Sequence, residues 1–320
     1  MSVDINDLLV RQKLPLSIKV RMSVDRIRAF YNEMPGVAVC FSGGLDSTVL
    51  LHLVRSVYPN VPAVCIYALE GTKNRKFIDT IPNVEKLVPG KPMSRVLKED
   101  GFPIGSKRIA KQIKQLQNPT EKNRKSRELA LTGITSKGRK APRWKLPKRW
   151  LPLVDSEFKI SNACCYYMKE KPLADYQKKH EVGFFVGEKA VDSDTRLDAY
   201  LKTGCNSFSG YGKSKPLGFW THQDILEYIV VNNLSYSEAY GEILKDEDGL
   251  YYTTGADRTG CDMCGFGVHK EGYPNRYQRM YVDDPGKWKI VINDWGYGPL
   301  LDFIGVPYIP RGVENEDTKT

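Results

Sequence analysis

Apolar residues along this chain follow two rhythms. Three unbroken runs are short: Val37-Ala38-Val39-Cys40-Phe41, Val64-Cys65-Ile66-Tyr67-Ala68-Leu69 and Gly183-Phe184-Phe185-Val186-Gly187. Their length and their β-branched or aromatic content predict strands covered on both faces. Elsewhere the apolar spacing lengthens to three and four. That spacing predicts helices over 47–57, 74–81, 93–100, 107–117 and 168–179, with Pro172 disturbing the first turn of the last. A further helix opens at Thr221, with Asp224 at its third position. Strand, helix and strand over the first two runs make a βαβ unit and imply a parallel sheet. The expected fold class is α/β, a parallel sheet with helices on both faces, plus a smaller irregular C-terminal cysteine-containing subdomain. The expected division is a helical arm at 1–35, a sheet domain at 36–231 with an insert at 107–150, and the C-terminal subdomain at 232–320. That last stretch is rich in Gly and Tyr, and a strand is expected at 288–292.

Charge sharpens the view of the insert. The chain carries +10 overall. Residues 107–149 hold 15 Lys/Arg against 2 Asp/Glu, a net of +13; the rest of the chain holds 33 against 36, a net of −3. Basic residues interleaved with Trp144 and Trp150 suit a polyanion that also offers faces to stack on, so a nucleic acid is an expected partner. The alternative reading is a solvated loop. No apolar run approaches a membrane span, and the N-terminus has no signal-peptide core, so a cytoplasmic protein without a membrane partner is expected. Nothing in the sequence specifies an oligomeric state.

The first strand runs into Ser42-Gly43-Gly44-Leu45-Asp46-Ser47. Two glycines let backbone approach a ligand, and the helix start that follows offers unpaired N–H groups and the positive end of its dipole. That is a phosphate cradle, and without Gly-Lys-Ser/Thr it is not the ATPase loop. Backbone amides at Gly43 and Gly44 and the hydroxyls of Ser42 and Ser47 would bind phosphate. Asp46 would face it through Mg2+ or orient the loop. After the third strand comes Gly187-Glu188-Lys189-Ala190-Val191-Asp192-Ser193-Asp194-Thr195-Arg196. Ligands of open parallel sheets bind outside the carboxyl ends of the strands, so the two stretches are expected to face one crevice, with Lys189 and Arg196 as cations for phosphate or sulfate. Seven cysteines, among them the vicinal pair Cys164-Cys165 and Cys261-Asp262-Met263-Cys264, argue against a disulfide framework and for metal or cluster ligation. The quartet suits a 4Fe–4S cluster, with zinc as the alternative.

The loop resembles that of ATP pyrophosphatases. The loop, Gly101-Phe102-Pro103-Ile104-Gly105-Ser106-Lys107, Asp192-Ser193-x-x-Arg196 and Lys215-Pro216-Leu217-Gly218-Phe219-Trp220-Thr221 together resemble the phosphoadenosine phosphosulfate (PAPS) reductase superfamily. The cysteine set is similar to that of its adenylyl-sulfate reductases, which bind a 4Fe–4S cluster. The Ile160-Ser161-Asn162-Ala163-Cys164-Cys165 and Pro274-Asn275-Arg276-Tyr277 runs look like those of often phage-encoded members. The resemblance implies a Rossmann-like adenine-nucleotide α-hydrolase (PP-loop) fold. It implies ATP or a related adenine nucleotide held by Ser42, Gly43, Gly44, Asp46, Ser47, Lys189, Asp192 and Ser193, with Asp46, Ser47, Lys107 and Arg196 as catalytic residues. It also implies Cys164, Cys165, Cys261 and Cys264 as cluster ligands.

The departures from the family pattern bear on the reaction. Reductases of this family attack sulfur with a cysteine of a C-terminal Glu-Cys-Gly motif. No cysteine follows Cys264 here, so loss of that nucleophile is the expectation, and nothing marks Cys205 as its replacement. Glu70-Gly71-Thr72 stands where the family usually has Asp-Thr-Gly. Lys189 and Asp192 stand where it commonly has Arg and Glu. The expected function is α-phosphate activation of ATP coupled to iron–sulfur-dependent sulfur transfer, with a nucleic-acid acceptor and a sulfur donor protein as expected partners. The alternatives are a sulfonucleotide reductase and a non-catalytic module that binds nucleotide and nucleic acid.

Overall fold

A computed structural model describes residues 3–313. Residues 314–320, whose lack of cysteine enters the reading above, lie outside the described residues. The chain forms two compact units: Met1–Val88 with Pro172–Cys261, and Pro89–Lys171 with Asp262–Thr320. This differs from the linear division at 35 and 231. The chain leaves the sheet unit after its third strand and returns to it in the helix before the fourth. The basic insert therefore belongs with the C-terminal segment, not with the sheet.

The first unit is built on strands β1 (Val37–Cys40), β2 (Ala63–Cys65), β3 (Val84–Lys86), β4 (Gly183–Phe185), β5 (Asn206–Ser207) and β6 (Lys213–Ser214), in the order β3-β2-β1-β4-β6-β5. Every pairing is parallel except β5 with β6. The register sets Val39 opposite Ala63 on one side and Val37 opposite Gly183 on the other. Period-2 alternation explains why β1 reads as an unbroken apolar run. Val37, Val39 and Phe41 enter one core with helices Leu16–Glu33, Leu45–Val57 and His222–Val231; Ala38 enters another with Val64, Tyr176, Phe184 and Val186. Both faces are thus covered, as a parallel sheet requires. The hairpin β7 (Ile243–Lys245) and β8 (Tyr251–Thr253) completes the unit. The N-terminal arm is part of it: Lys19 Nζ lies 2.7 Å from both carboxylate oxygens of Asp224, and Asp224 also closes the Thr221 capping box.

The second unit is mainly helical, with helices Met93–Asp100, Lys107–Gln117, Arg124–Thr132, Arg276–Asp283 and Tyr297–Phe303. The strand expected at 288–292 is a helix, Pro285–Lys289, running into a wide π turn at Ile290–Asp294. The cause is local. The Asp284 carboxylate accepts from the Lys287 amide at 3.1 Å, Pro285 occupies the first turn, and Trp288, Val291 and Ile292 are buried at helical spacing. The helix expected at 168–179 begins earlier, as Ala163–Cys165, and passes through a π turn at Tyr166–Glu170 before Lys171–His180. That wide turn lets Pro172 sit in a continuous helical run despite its missing N–H.

Candidate functional site

The strand order reverses at β1. The chain moves to β2 and β3 on one side and to β4 on the other. A reversal of this kind opens a crevice outside the carboxyl ends of the two central strands. Both sequence-marked stretches begin there, residues 42–47 after β1 and 187–196 after β4.

The loop is held from within. Ser47 Oγ donates to the Gly44 carbonyl at 2.9 Å and accepts from the Ser42 amide at 3.2 Å. Gly43 sits at φ +69°, a region that favours glycine. Among the described residues the amides of Gly43, Gly44, Asp46 and Ser47 have no protein acceptor. They are four donors at the start of helix Leu45–Val57, which is what an anionic phosphate needs. The Leu45 amide is different, because it donates to the Tyr240 hydroxyl at 3.3 Å. That hydroxyl is also 2.8 Å from Thr259 Oγ1, so residues on both sides of the β7–β8 hairpin, Tyr240 before it and Thr259 after it, clasp the loop.

The second stretch closes on the first. A Cβ on Gly187 would come within 3.1 Å of the Asp46 backbone, so any larger residue here would have to push that backbone back. Lys189 is 2 % exposed, contacts the Asp46 carboxylate and lies 3.4 Å from Asp192 Oδ1. Asp192 is itself buried and pairs with Arg196, and with Arg258 at 3.0 Å. Burial works against its charge, but Lys189, Arg196 and Arg258 outweigh that and hold its carboxyl below the usual range. Ser193 caps helix Asp194–Thr203 by accepting from the Arg196 amide at 3.3 Å. The 215–221 run is buried backing: the Gly218 carbonyl accepts from the Ala190 amide at 2.9 Å.

Several residues here escaped sequence reasoning. Tyr240, Arg258 and Thr259 come from an irregular stretch with no marking motif. His222 was hidden as the first residue of a capped helix. It lies in the field of Lys189, Asp46 and Arg258, and burial first, then Lys189, lowers its pKa. Glu70, where the family pattern departs, is 3.5 Å from Asn74 Nδ2, which is 3.4 Å from the Ser42 carbonyl. The end of the second apolar run is therefore tied to the loop through Asn74.

Lys107 is placed elsewhere. It belongs to the second unit, at the start of helix Lys107–Gln117, with Glu170 Oε1 at 3.4 Å. Burial opposes its charge, but Cys165 and Glu170 outweigh it and raise its pKa. Cys165 shows the reciprocal effect. A hydrogen bond from Cys164, opposed by burial and aided by Lys107 and Lys169, brings its pKa down to about 6. Cys264 accepts from the Phe266 amide at 3.4 Å, and its carbonyl accepts from Arg276 at 2.8 Å. Thiolate character and amide-to-sulfur bonding suit a soft metal or a cluster. The four thiols are nonetheless not gathered into a ligand set: among the described residues no group of three or more His, Cys, Asp or Glu is arranged to hold a metal ion. Cys261 is the last residue of the first unit, while the other three lie in the second. Of the tryptophans expected to stack on a polyanion, Trp144 is exposed, but Trp150 is 1 % exposed and cannot.

The fold and its loop define an α/β domain with a crevice at a strand-order reversal, lined by backbone amides without protein acceptors among the described residues. Residues 36–265 match the phosphoadenosine phosphosulfate reductase domain, and the chain belongs to that family, whose members act on adenine nucleotides. A phosphoadenylyl-sulfate reductase from Candida auris, solved as a phosphate complex, is similar at 13% identity and a TM-score of 0.39, over 78% of this chain and 98% of that one. No curated protein matches this chain. Among the described residues no helix is long and apolar enough to cross a membrane.

Proposed function

We propose that this chain is an enzyme that activates ATP at its α-phosphate. The observation that carries the reading is the clasp of Lys189 on Asp46 beside four amides without protein acceptors. The amides take the pyrophosphate end of the nucleotide. Lys189 then turns from Asp46 toward phosphate, and Asp46 is released to hold Mg2+. An oxygen of a second substrate attacks the α-phosphorus. The new P–O bond forms as the bond to the β-phosphate oxygen breaks, and pyrophosphate leaves. The outer sulfur of a donor protein's persulfide then displaces AMP from the adenylylated substrate, and a thiol reductant cleaves the remaining S–S bond, releasing the thiolated product and the donor's thiol. Cys164, Cys165, Cys261 and Cys264 are the residues that would have to come together to hold a 4Fe–4S cluster, which if bound would supply electron-transfer or sulfur-carrying chemistry; they are not so arranged here, and no step of the reaction is routed through it. Lys107 is a positioning residue for Cys165.

Reduction of a sulfonucleotide is the second reading, favoured by the family match. It needs an attacking thiolate. Burial raises the pKa of Cys40 to about 12 and of Cys65 to about 11, and raises that of Cys205 as well, so none of these three is a thiolate at neutral pH. The two readings separate in one experiment. Iron-loaded protein is given ATP, Mg2+ and candidate nucleic-acid acceptors, or adenylyl sulfate or PAPS with a thiol reductant, and pyrophosphate and sulfite are measured. Pyrophosphate release that falls at least about a hundredfold in Asp46→Ala supports the first reading. Sulfite release without pyrophosphate replaces it with the second.

A further inference from the structure

The basic insert is an ordered frame. Helix Arg124–Thr132 ends at Gly133, and the chain then makes a tight turn closed by a bridge between Ile134 and Lys140. The Thr135 amide donates to the Arg139 carbonyl at 2.9 Å, Ala141 to Gly133 at 2.7 Å, and Leu146 to Ala130 at 2.7 Å. Gln112, buried on the neighbouring helix, donates to the Trp144 carbonyl at 2.5 Å. Leu146 and Trp150 are buried, and the Arg149 guanidinium lies 4.8 Å from the centre of the Trp150 ring. A solvated loop would have none of these ties.

What the frame displays is uncompensated charge. Lys137, Arg139, Lys140, Arg143, Lys145 and Lys148 are all exposed, and among the described residues none has an ion-pair partner. No Asp or Glu occurs between Glu128 and Asp155. Glu121 and Glu128 are both engaged by Arg124, at 2.9 and 3.0 Å. A small anion neutralises two or three such charges; a phosphodiester chain can neutralise all six. Trp144 stands among them, 41% exposed, with the Arg143 guanidinium 5.8 Å from its ring centre. An anionic bilayer would match the charge but requires an apolar stripe along a helix. Helix Arg124–Thr132 exposes Leu131 alone of its apolar residues.

From these observations we infer that residues 134–149 form a binding surface for single-stranded nucleic acid, with the cations on the phosphates and Trp144 stacked on a base. The surface does not depend on the chemistry proposed for the phosphate loop.

The test uses the full chain and fluorescently labelled oligonucleotides of one sequence, single-stranded and duplex, in anisotropy titrations over a salt series. Six phosphate contacts predict that affinity for the single strand falls on the order of a few hundredfold between about 50 and 200 mM salt. Trp144→Ala should weaken single-strand binding by about tenfold and leave the salt slope unchanged. The triple variant Lys137→Gln/Arg139→Gln/Lys140→Gln should flatten the slope by about two units, since each single-strand contact adds about 0.7. These exposed side chains leave the fold intact, which circular dichroism checks. No binding at low salt overturns the inference. So does a preference for duplex, an unchanged affinity in Trp144→Ala, or tighter binding to phosphatidylserine vesicles than to the oligonucleotide. The oligonucleotide titrations contain no ATP and read binding alone, whereas the ATP reading is judged by pyrophosphate release, so failure here and failure of the ATP reading are separate results.

Discussion

The crevice of the first unit and the basic frame of the second handle charge in opposite ways. In the crevice the cations are paired with acids: Lys189 holds Asp46 and Asp192, and Arg196 and Arg258 share Asp192. On the frame Lys137, Arg139, Lys140, Arg143, Lys145 and Lys148 have none among the described residues. A compensated cluster can be buried, and its order fixes where a ligand's phosphates must sit. An uncompensated one must stay in water, and its repulsion is relieved by whatever polyanion arrives. On the readings proposed above, the crevice suits one small anion in one pose, and the frame many phosphates in many registers.

The sharpest break in this comparison is Asp192→Asn. It leaves Lys189 buried with half its compensation and strips Arg196 and Arg258 of their partner. Removing one member of a buried cluster costs about 3–5 kcal/mol, read as a large fall in Tm. The pH profile gives the same answer independently. Folded Asp192 binds its proton less tightly than the unfolded chain does, so its pairs stabilise the fold fully above the usual carboxylate range. That contribution is lost as the pH falls below about 4. Wild type should lose Tm steeply there, and Asp192→Asn should show a flatter profile over the same range. Identical acid profiles would show that the cluster does not stabilise the crevice.

Tyr240→Phe probes the clasp on the same loop with a smaller expected effect. Deleting the hydroxyl frees the Leu45 amide and one partner of Thr259 while keeping the buried ring. The cost should be about 1 kcal/mol by urea unfolding, since the freed groups can rehydrate only in part. An unchanged midpoint would mean that Tyr240 and Thr259 lie on the loop without holding it.

How far the sequence reveals these two regions follows from the range of the forces involved. The loop was legible because its chemistry is contiguous: strand, two glycines and helix start are consecutive residues. Thr221 and Asp224 were legible for the same reason, as a local capping box. Tyr240, Arg258 and Thr259 were not, because they reach the loop through tertiary contacts from a stretch without periodicity. The short strands β3, β5 and β6 were missed because Val84–Lys86, Asn206–Ser207 and Lys213–Ser214 carry no apolar run, unlike β2 and β4. The strand expected at 288–292 failed because Trp288, Val291 and Ile292 also satisfy helical spacing, and the Asp284-Pro285 start decides between the two. The basic segment was legible as charge but not as structure. Its order comes from Leu146, Trp150 and Gln112, single residues whose burial no local pattern announces.

The smallest expected effect falls on the frame itself. Lys137→Gln with Lys140→Gln removes two exposed cations that have no acid to lose. In the crevice, deleting one charge strands others; here it only weakens repulsion. Stability should therefore change by less than about 0.5 kcal/mol, and in the stabilising direction at low salt. The gain should vanish as salt is raised, because repulsion between solvated charges is screened within about 10 Å at 0.1 M. Urea unfolding at two salt concentrations reads both features. A loss of more than about 1 kcal/mol would mean that these lysines are compensated after all, and the contrast between the two regions would fail.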